Sequence, residues 1–175
     1  MRSKDKRKQS EFLKVYEPIH DNFVRFCQAR AHQLMNFEDL VSESTLKAYQ
    51  SWDKIEKKES LKYFLFTTAR NIVLNVVRKK QELRLDDVNT DKHSESNRGE
   101  VDLEIEYLYE QLNKLTDVKR EALILFEING FSIKEISKIQ NISEGAVKVN
   151  LSRGRKELKA LMIDEPKLQK ESILI

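Results

Sequence analysis

The sequence is poor in the residues that build disulfides and tight turns. Its 175 residues include one cysteine, two prolines and four glycines. The single cysteine, Cys27, excludes an internal disulfide framework and fits a reducing cytosol. Because so few prolines and glycines cannot supply the many turns of an all-β fold, long helices are expected.

Long hydrophobic runs are also missing. No apolar run approaches the ~20 residues that a membrane-spanning helix needs, so no membrane insertion is expected. The basic start MRSKDKRKQSEF is not followed by an apolar segment, which argues against a signal peptide and for the cytoplasm. Charged residues make up 35% of the chain and the net charge is +3. This composition favours small helical bundles with charged surfaces.

A change of composition in the middle divides the chain into two helical halves. The segment 85–104 reads LDDVNTDKHSESNRGEVDLE, rich in carboxylates and without an aromatic residue. Such a segment is too polar to bury and predicts a flexible acidic linker. The expected fold is therefore all-α, with two small helical domains over 10–84 and 105–163, the linker over 85–104 and a tail over 164–175.

Three helices are expected in the N-terminal half, from apolar residues spaced by three or four. The first has a kink or a fresh start at Pro18. The second begins after Asn36, a good N-cap, and its apolar stripe is predicted at Phe37, Val41, Ala48, Trp52 and Ile55. The third is LKYFLFTTARNIVLNVVRKKQELR, with its core face predicted at Leu61, Leu65, Ala69, Ile72 and Val76.

The third helix carries a polar stripe, Asn71, Asn75 and Arg78, at positions i, i+4 and i+7. Asparagine is a poor residue for a helix interior, because its amide competes for backbone hydrogen bonds. Aromatic residues, among them Phe64 and Phe66, precede the stripe, and basic residues follow it. Amides, rings and cations together are typical of single-stranded nucleic-acid binding. An amphipathic helix with a solvated basic end is the alternative.

The C-terminal half is expected to contain a helix-turn-helix. Ser132 and Glu135 form the capping-box pattern S-x-x-E, which opens a short helix. Residues 141–143 make a tight turn, with Ser143 as the N-cap of the next helix. Two helices joined by three or four residues are the helix-turn-helix unit.

The second of these helices has two different faces at about 100° per residue. Its buried face is predicted at Val147, Leu151, Gly154, Leu158, Leu161 and Met162. Its other face carries Lys148, Val149, Ser152, Arg153, Lys156 and Lys159. Gly145 keeps the first turn slim, so that the helix can approach a DNA major groove closely. Val149 is predicted to contact a thymine methyl, the alternative being a tolerated surface residue.

No pattern in the chain points to catalysis or metal binding. His20, His32 and His93 are scattered, and the i, i+5 spacing of Cys27 and His32 does not place them on one helix face. The phosphate-binding and nucleophile motifs GxxxxGK[ST] and G-x-S-x-G are missing. No enzymatic activity, metal, cofactor or small-molecule substrate is therefore expected.

Three segments in this order resemble a bacterial sigma factor of the extracytoplasmic-function (ECF) type, in the sigma-70-like family. FEDLVSESTLKAYQSW resembles the region that binds the polymerase clamp, and YFLFTTARNIVLNVVRKK resembles the helix that opens the minus-ten element. FEINGFSIKEISKIQNISEGAVKVNLSRGRKEL resembles the domain that reads the minus-thirty-five element. The resemblance implies a transcription initiation factor that binds core RNA polymerase, directs it to promoter DNA and helps melt it. It also implies an anti-sigma factor as a partner, which nothing in the sequence identifies.

The resemblance implies roles for three sets of residues. The core-polymerase contacts would be Asp39, Ser42, Glu43, Lys47 and Gln50. The minus-ten contacts would be Phe64, Phe66, Arg70, Asn71, Asn75, Arg78, Lys79 and Lys80, with the loop 54–60 closing a pocket over an extruded base. The minus-thirty-five contacts would be Ser143, Gly145, Lys148, Val149, Asn150, Ser152, Arg153 and Lys156.

The chain departs from the family at some of these positions. Ser42 stands where glutamine is usual and Phe64 where tryptophan is usual, while Val149 and Asn150 replace serine and arginine. Fewer arginines predict an A/T-richer minus-thirty-five element. A stand-alone helix-turn-helix regulator with two half-sites is the alternative function, and a protein adaptor is a third.

Overall fold

The computed structural model describes residues 3–86 and 103–164, and these ranges contain helices and no strand. The chain divides into two compact units, the N-terminal unit Met1–Arg98 and the C-terminal unit Gly99–Ile175. The predicted all-α fold with two helical domains is confirmed. Most of the predicted linker and tail lies outside the described residues, so their character and exact bounds stay predictions.

The N-terminal unit is a bundle of three helices, each packed on the other two. They are α1 (Ser3–Ala31), α2 (Phe37–Gln50) and α3 (Leu61–Asp86). Two short 3-10 turns, Trp52–Lys54 and Lys58–Ser60, connect α2 to α3. Helix α1 runs through Pro18 without a new start, and Pro18 lies exposed on its surface.

The core of this bundle corrects one predicted binding residue, Phe66. Its side chain is fully buried, with ring centroids 5.3 Å from Phe23 and 4.9 Å from Phe26. Helix α3 packs on both α1 and α2, so its buried sector is wide enough to include both Leu65 and Phe66. The predicted stacking of Phe66 on a base is therefore wrong.

The predicted apolar stripe of α2 is confirmed at Ala48 and Trp52 and is wrong in the first two turns of the helix. The residues of α2 that are buried are Leu40, Ser44 and Ala48, and Trp52 is buried just beyond its end. Phe37 and Val41 are only half-buried. The polar positions predicted to lie off the stripe are exposed, because the burial of Leu40, Ser44 and Ala48 turns them outward.

The C-terminal unit contains the predicted helix-turn-helix. Its helices are α4 (Leu103–Asn113), α5 (Asp117–Leu123, continued by the π-helical turn Ile124–Ile128), α6 (Ile133–Gln140) and α7 (Glu144–Asp164). The Ser132–Glu135 capping box is present at the start of α6. Gly130 and Asn141 have φ values of 70° and 54°, the left-handed conformation that ends a helix sharply.

Polar side chains fix the angle between α5 and α6. The amide Nε2 of Gln140 donates to the Val118 carbonyl oxygen at 3.1 Å, in a partly buried position, and to Glu121 Oε2 at 2.8 Å, in the interior. A buried hydrogen-bond network holds a rigid geometry, because a broken bond would leave a polar group without water. The orientation of α6, and of the helix that follows it, is therefore set by these bonds as well as by apolar packing.

Candidate nucleic-acid interface

A pocket lies between the loop that follows α2 and the first half of α3. Its volume is about 600 Å³, and its walls are formed by Lys54, Ile55, Glu56, Lys57, Ser60, Tyr63, Phe64, Thr67, Thr68 and Asn71. The loop 54–60 contributes one wall and α3 contributes the other. We call this cavity the α3 pocket. Cavities of about 300–1,000 Å³ are typical of sites for small organic groups.

The chemistry of the α3 pocket suits a nucleobase. Phe64 and Tyr63 offer rings for stacking, and Asn71 offers an amide that both donates and accepts hydrogen bonds. Lys54 and Lys57 lie in the loop wall, where they can attract a phosphate. A flat aromatic group with polar edges on a charged backbone matches this combination.

The sequence reasoning missed two polar residues of this pocket. Thr67 and Thr68 lie on α3 between Phe64 and Asn71, and both are half-buried. Their spacing of three and four residues from Asn71 places them on the same side of α3, a periodicity that the sequence already contains. The pocket therefore has two hydroxyls beside the amide that the polar stripe predicted.

The rest of the polar stripe continues along α3. Asn75 and Arg78 are exposed, as is Lys79. Arg70 is half-buried, and its Nη1 lies 3.5 Å from Asn71 Oδ1. Lys80 differs from the others, because its Nζ donates to the Leu34 carbonyl oxygen at 2.8 Å in the connection between α1 and α2. The ammonium group of Lys80 is therefore already hydrogen-bonded to the backbone of the N-terminal unit.

The exposed face of α2 contains all five predicted polymerase contacts, Asp39, Ser42, Glu43, Lys47 and Gln50. Asn36 Oδ1 accepts from the Asp39 backbone amide at 3.0 Å, which fixes the first turn of the helix. Glu43 pairs with Lys47 at 2.6 Å. Leu46 lies on the same face with 56% of its surface exposed, and the sequence reasoning missed it. Single exposed leucines are common on protein surfaces, so Leu46 by itself does not identify this face as a binding surface.

Helix α7 presents the predicted basic face. Lys148, Val149, Ser152, Arg153 and Lys156 are exposed, and Asn150 is half-buried. Ser143 Oγ accepts from the Ala146 amide at 3.1 Å, so Ser143 is the N-cap and its hydroxyl is already engaged. Val147, Leu151 and Gly154 are buried against the rest of the unit.

The two glycines of α7 have opposite surroundings. A Cβ at Gly154 would lie 3.1 Å from Leu123 Cδ1, so this glycine allows α7 to pack closely on α5. A Cβ at Gly145 would meet only Ser143 Oγ at 3.9 Å. The unit has room for a larger residue at 145, and a glycine inside a helix costs about 1 kcal/mol relative to alanine. Packing within the unit therefore does not require a glycine at position 145.

The last turns of α7 correct the predicted buried face. Leu158 and Leu161 are half-buried, and Met162 is 38% exposed. An apolar groove of about 420 Å³ runs beside them, lined by Leu108, Leu112, Leu123, Ile124, Glu127, Ile128, Arg155, Leu158, Lys159, Met162 and Ile163. Helix α4 contacts α7, and its Leu108 and Leu112 line the same groove as Leu158 and Met162.

The part of the chain that the structure describes offers no evident site for metal binding or nucleophilic catalysis. Residues 3–86 and 103–164 contain no cluster of histidine, cysteine and carboxylate side chains that could hold a metal ion. Burial raises the pKa of the Cys27 thiol, which makes it a poor nucleophile. None of the helices in those ranges is both long and apolar enough to cross a membrane.

Both units match families of known proteins. The N-terminal unit matches sigma-70 region 2 over residues 15–82, and the C-terminal unit matches sigma-70 region 4 over residues 105–158. The chain is 34% identical to the ECF RNA polymerase sigma factor EcfG of Rhodopseudomonas palustris, over 71% of this chain and 70% of that protein. It is 32% identical to the ECF RNA polymerase sigma factor SigM of Bacillus subtilis, over 84% of this chain and 92% of that protein.

Solved structures give the same picture. The chain resembles the sigma factor RpoE from Bartonella quintana, solved with the anti-sigma factor NepR, with a TM-score of 0.73 and 27% identity. That similarity covers 90% of this chain and 97% of the solved one. CnrH, solved with the cytosolic domain of CnrY, has a TM-score of 0.70 at 20% identity and supports the fold.

Proposed function

The chain belongs to the extracytoplasmic-function sigma factors, and from that premise we propose which of its residues carry out transcription initiation. It is an initiation factor that binds core RNA polymerase, directs it to promoter DNA and helps melt the minus-ten element. The observation that supports our assignment of residues is the α3 pocket, in which Phe64, Thr67, Thr68 and Asn71 surround a space suited to one base.

In the proposed mechanism, the α3 pocket traps a base of the non-template strand after it leaves the duplex. Unstacking costs a few kcal/mol, and stacking on an aromatic ring returns about 1–3 kcal/mol per base. Asn71 and the two threonines would supply hydrogen bonds to the base edge. Asn75 and Arg78, farther along the exposed face of α3, would hold the next nucleotides and their phosphates.

We assign polymerase binding to the exposed face of α2. Asp39, Ser42, Glu43, Lys47 and Gln50 supply its polar contacts, and Leu46 supplies an apolar centre. Interfaces of this kind have a small apolar core within a polar rim. The Glu43–Lys47 pair is exposed, so its contribution to the stability of the free protein is small and both groups are available to a partner.

We assign minus-thirty-five recognition to the first half of α7. Lys148, Arg153 and Lys156 would contact phosphates, while Val149 and Asn150 would face base edges in the major groove. With few arginines among these residues, an A/T-rich element is the proposed target. The chain would act in the cytoplasm, where polymerase and DNA are, with no catalytic activity of its own.

An anti-sigma factor is a further proposed partner. The solved relatives RpoE and CnrH were captured with NepR and with the cytosolic domain of CnrY, respectively. The apolar groove beside Leu158 and Met162 offers a protein partner partly open hydrophobic surface in the C-terminal unit.

Reversing one charge on α2 tests the assignment of the polymerase surface. We expect Asp39→Arg to weaken binding to core RNA polymerase by about tenfold or more, because a repulsive charge at an interface costs more than a lost contact. The Kd measured with labelled protein, together with size-exclusion co-elution, checks this. Asp5→Arg, an exposed charge reversal on α1, is the matched control. Equal binding of core polymerase by the two variants would remove Asp39 from the proposed polymerase surface.

Replacing Gly145 by alanine should raise the stability of the free protein and lower the affinity of the holoenzyme for promoter DNA. The free protein has room for the methyl group, so Gly145→Ala should stabilise the C-terminal unit by about 0.5–1 kcal/mol. The same methyl should lower the affinity of the holoenzyme for minus-thirty-five DNA several-fold, since it keeps the helix end from its closest approach. Urea unfolding followed by circular dichroism and promoter binding are the two measurements. Tighter or unchanged promoter binding would remove the proposed role of Gly145.

A further inference from the structure

The loop that forms one wall of the α3 pocket has little structure of its own. Residues 52–60 contain two 3-10 turns separated by the irregular segment 55–57, and neither turn has a side-chain cap. Their backbone hydrogen bonds are local, from Lys54 to Ser51 at 2.9 Å, from Ile55 to Trp52 at 3.2 Å and from Ser60 to Lys57 at 2.9 Å. Such short turns are marginal without tertiary support.

The first turns of α1 provide that support, although they lie forty or more residues away in the sequence. Lys8 Nζ lies 2.6 Å from Asp53 Oδ2, and Lys8 also lies over the Tyr49 ring, 5.0 Å from its centroid. The Phe12 ring meets Trp52 edge to face, with centroids 5.4 Å apart. Trp52 and Asp53, two of the three residues of the first 3-10 turn, are therefore in contact with α1.

The second 3-10 turn is tied to the same part of α1. Lys58 Nζ lies 4.0 Å from Glu11 Oε2 and 5.9 Å from the centroid of the Trp52 ring. Hydrogen bonding from Arg7 and the charge of Lys58 lower the pKa of Glu11, so its carboxylate stays ionised. Residues 8–12 thus contact the loop at Trp52, Asp53 and Lys58, next to the pocket wall at 54–57 and 60.

We propose that Lys8, Glu11 and Phe12 are positioning residues of the α3 pocket: they hold the loop 52–60 against α3 and so set which base the pocket accepts. None of them lines the pocket, and they act only through the loop. The inference rests on the proposed role of the pocket in minus-ten recognition. It adds a determinant of base selectivity that lies in the N-terminal helix, far in sequence from the DNA-binding segments.

A charge swap between Lys8 and Asp53 tests this. The variants are Lys8→Asp, Asp53→Lys and the double exchange, in the full chain bound to core polymerase. The test compares promoters that differ only at the base held in the pocket. That base is identified beforehand as the promoter position at which Asn71→Ala abolishes the preference for one base. The measurement is the ratio of open-complex formation between the best and the worst base.

Each single exchange should lower this ratio about two- to fivefold, the range for an exposed ion pair, and the double exchange should restore it. Lys8→Arg should keep the ratio. Lys6→Ala, which removes an exposed lysine of the same helix, is the matched control. In the free chain, the amides of Ile55 and Ser60 should exchange hydrogen faster in the single variants.

An unchanged ratio in the single variants, or an equal loss for all four bases, would overturn the proposal. The Asn71→Ala variant distinguishes a failure of the proposed pocket function from a failure of the positioning role alone. If Asn71→Ala lowers opening while the exchanges leave the ratio unchanged, only the positioning role fails. If Asn71→Ala has no effect on opening, the proposed pocket function fails and the positioning role fails with it.

Discussion

Replacing both Asn71 and Asn75 by alanine is expected to lower promoter opening by about 10- to 100-fold without weakening binding to core polymerase. One hydrogen bond contributes about 0.5–1.5 kcal/mol, so the loss of two costs about 1–3 kcal/mol, and tenfold corresponds to about 1.4 kcal/mol. Both side chains are exposed on α3, so their loss leaves the core of the N-terminal unit intact. Open-complex formation, followed by the fluorescence of a base analogue in the minus-ten element, measures the effect.

The control for this double variant is Gln81→Ala. Gln81 is an exposed amide on the same helix, beyond Arg78 and outside the α3 pocket. It should open promoters at the unmodified rate. On a premelted promoter, in which the bases are already unpaired, the double variant should still form open complexes less well than the unmodified chain, but the difference should be smaller. Trapping of the unpaired bases still depends on the two amides. Normal opening by the double variant would remove α3 from minus-ten recognition.

Alanine at Phe66 and alanine at Phe64 should have opposite consequences. Phe66 is fully buried against Phe23 and Phe26, so Phe66→Ala should destabilise the N-terminal unit by about 3–5 kcal/mol. That loss is a large fraction of the stability of an ordinary domain. Phe64 is half-buried and lines the α3 pocket, so Phe64→Ala should cost little stability but lower promoter opening.

Urea unfolding followed by tryptophan fluorescence measures the first effect, since the one tryptophan of the chain, Trp52, is buried in the N-terminal unit. Phe64→Trp is a matched variant that keeps a ring in the pocket and should retain opening. Equal unfolding midpoints for Phe66→Ala and the unmodified chain would contradict the buried position of Phe66. Full opening by Phe64→Ala would show that the pocket does not use this ring.

The helix-turn-helix was predictable because its signals are local. The capping box at Ser132 and Glu135, the N-cap at Ser143 and the turn at Asn141 each depend on residues within a few positions of one another. Backbone hydrogen bonds at helix ends must be satisfied by nearby side chains, so sequence alone locates them. The buried hydrogen bond from Gln140 to Glu121 joins two helices, and no local sequence pattern predicts it.

Composition and a period of 3.6 residues are enough to predict the all-helical class, the division into two units and the polar face of α3. The positions of Phe66 in the core and Phe64 in the pocket depend on the packing of α3. A helical wheel does not show how many other helices pack on a helix, and so it cannot separate these two residues. The tertiary structure also brought Lys8 and Phe12 to the loop at Trp52 and Asp53. Contacts between residues forty or more positions apart follow from how the helices pack, which periodicity along one helix does not specify.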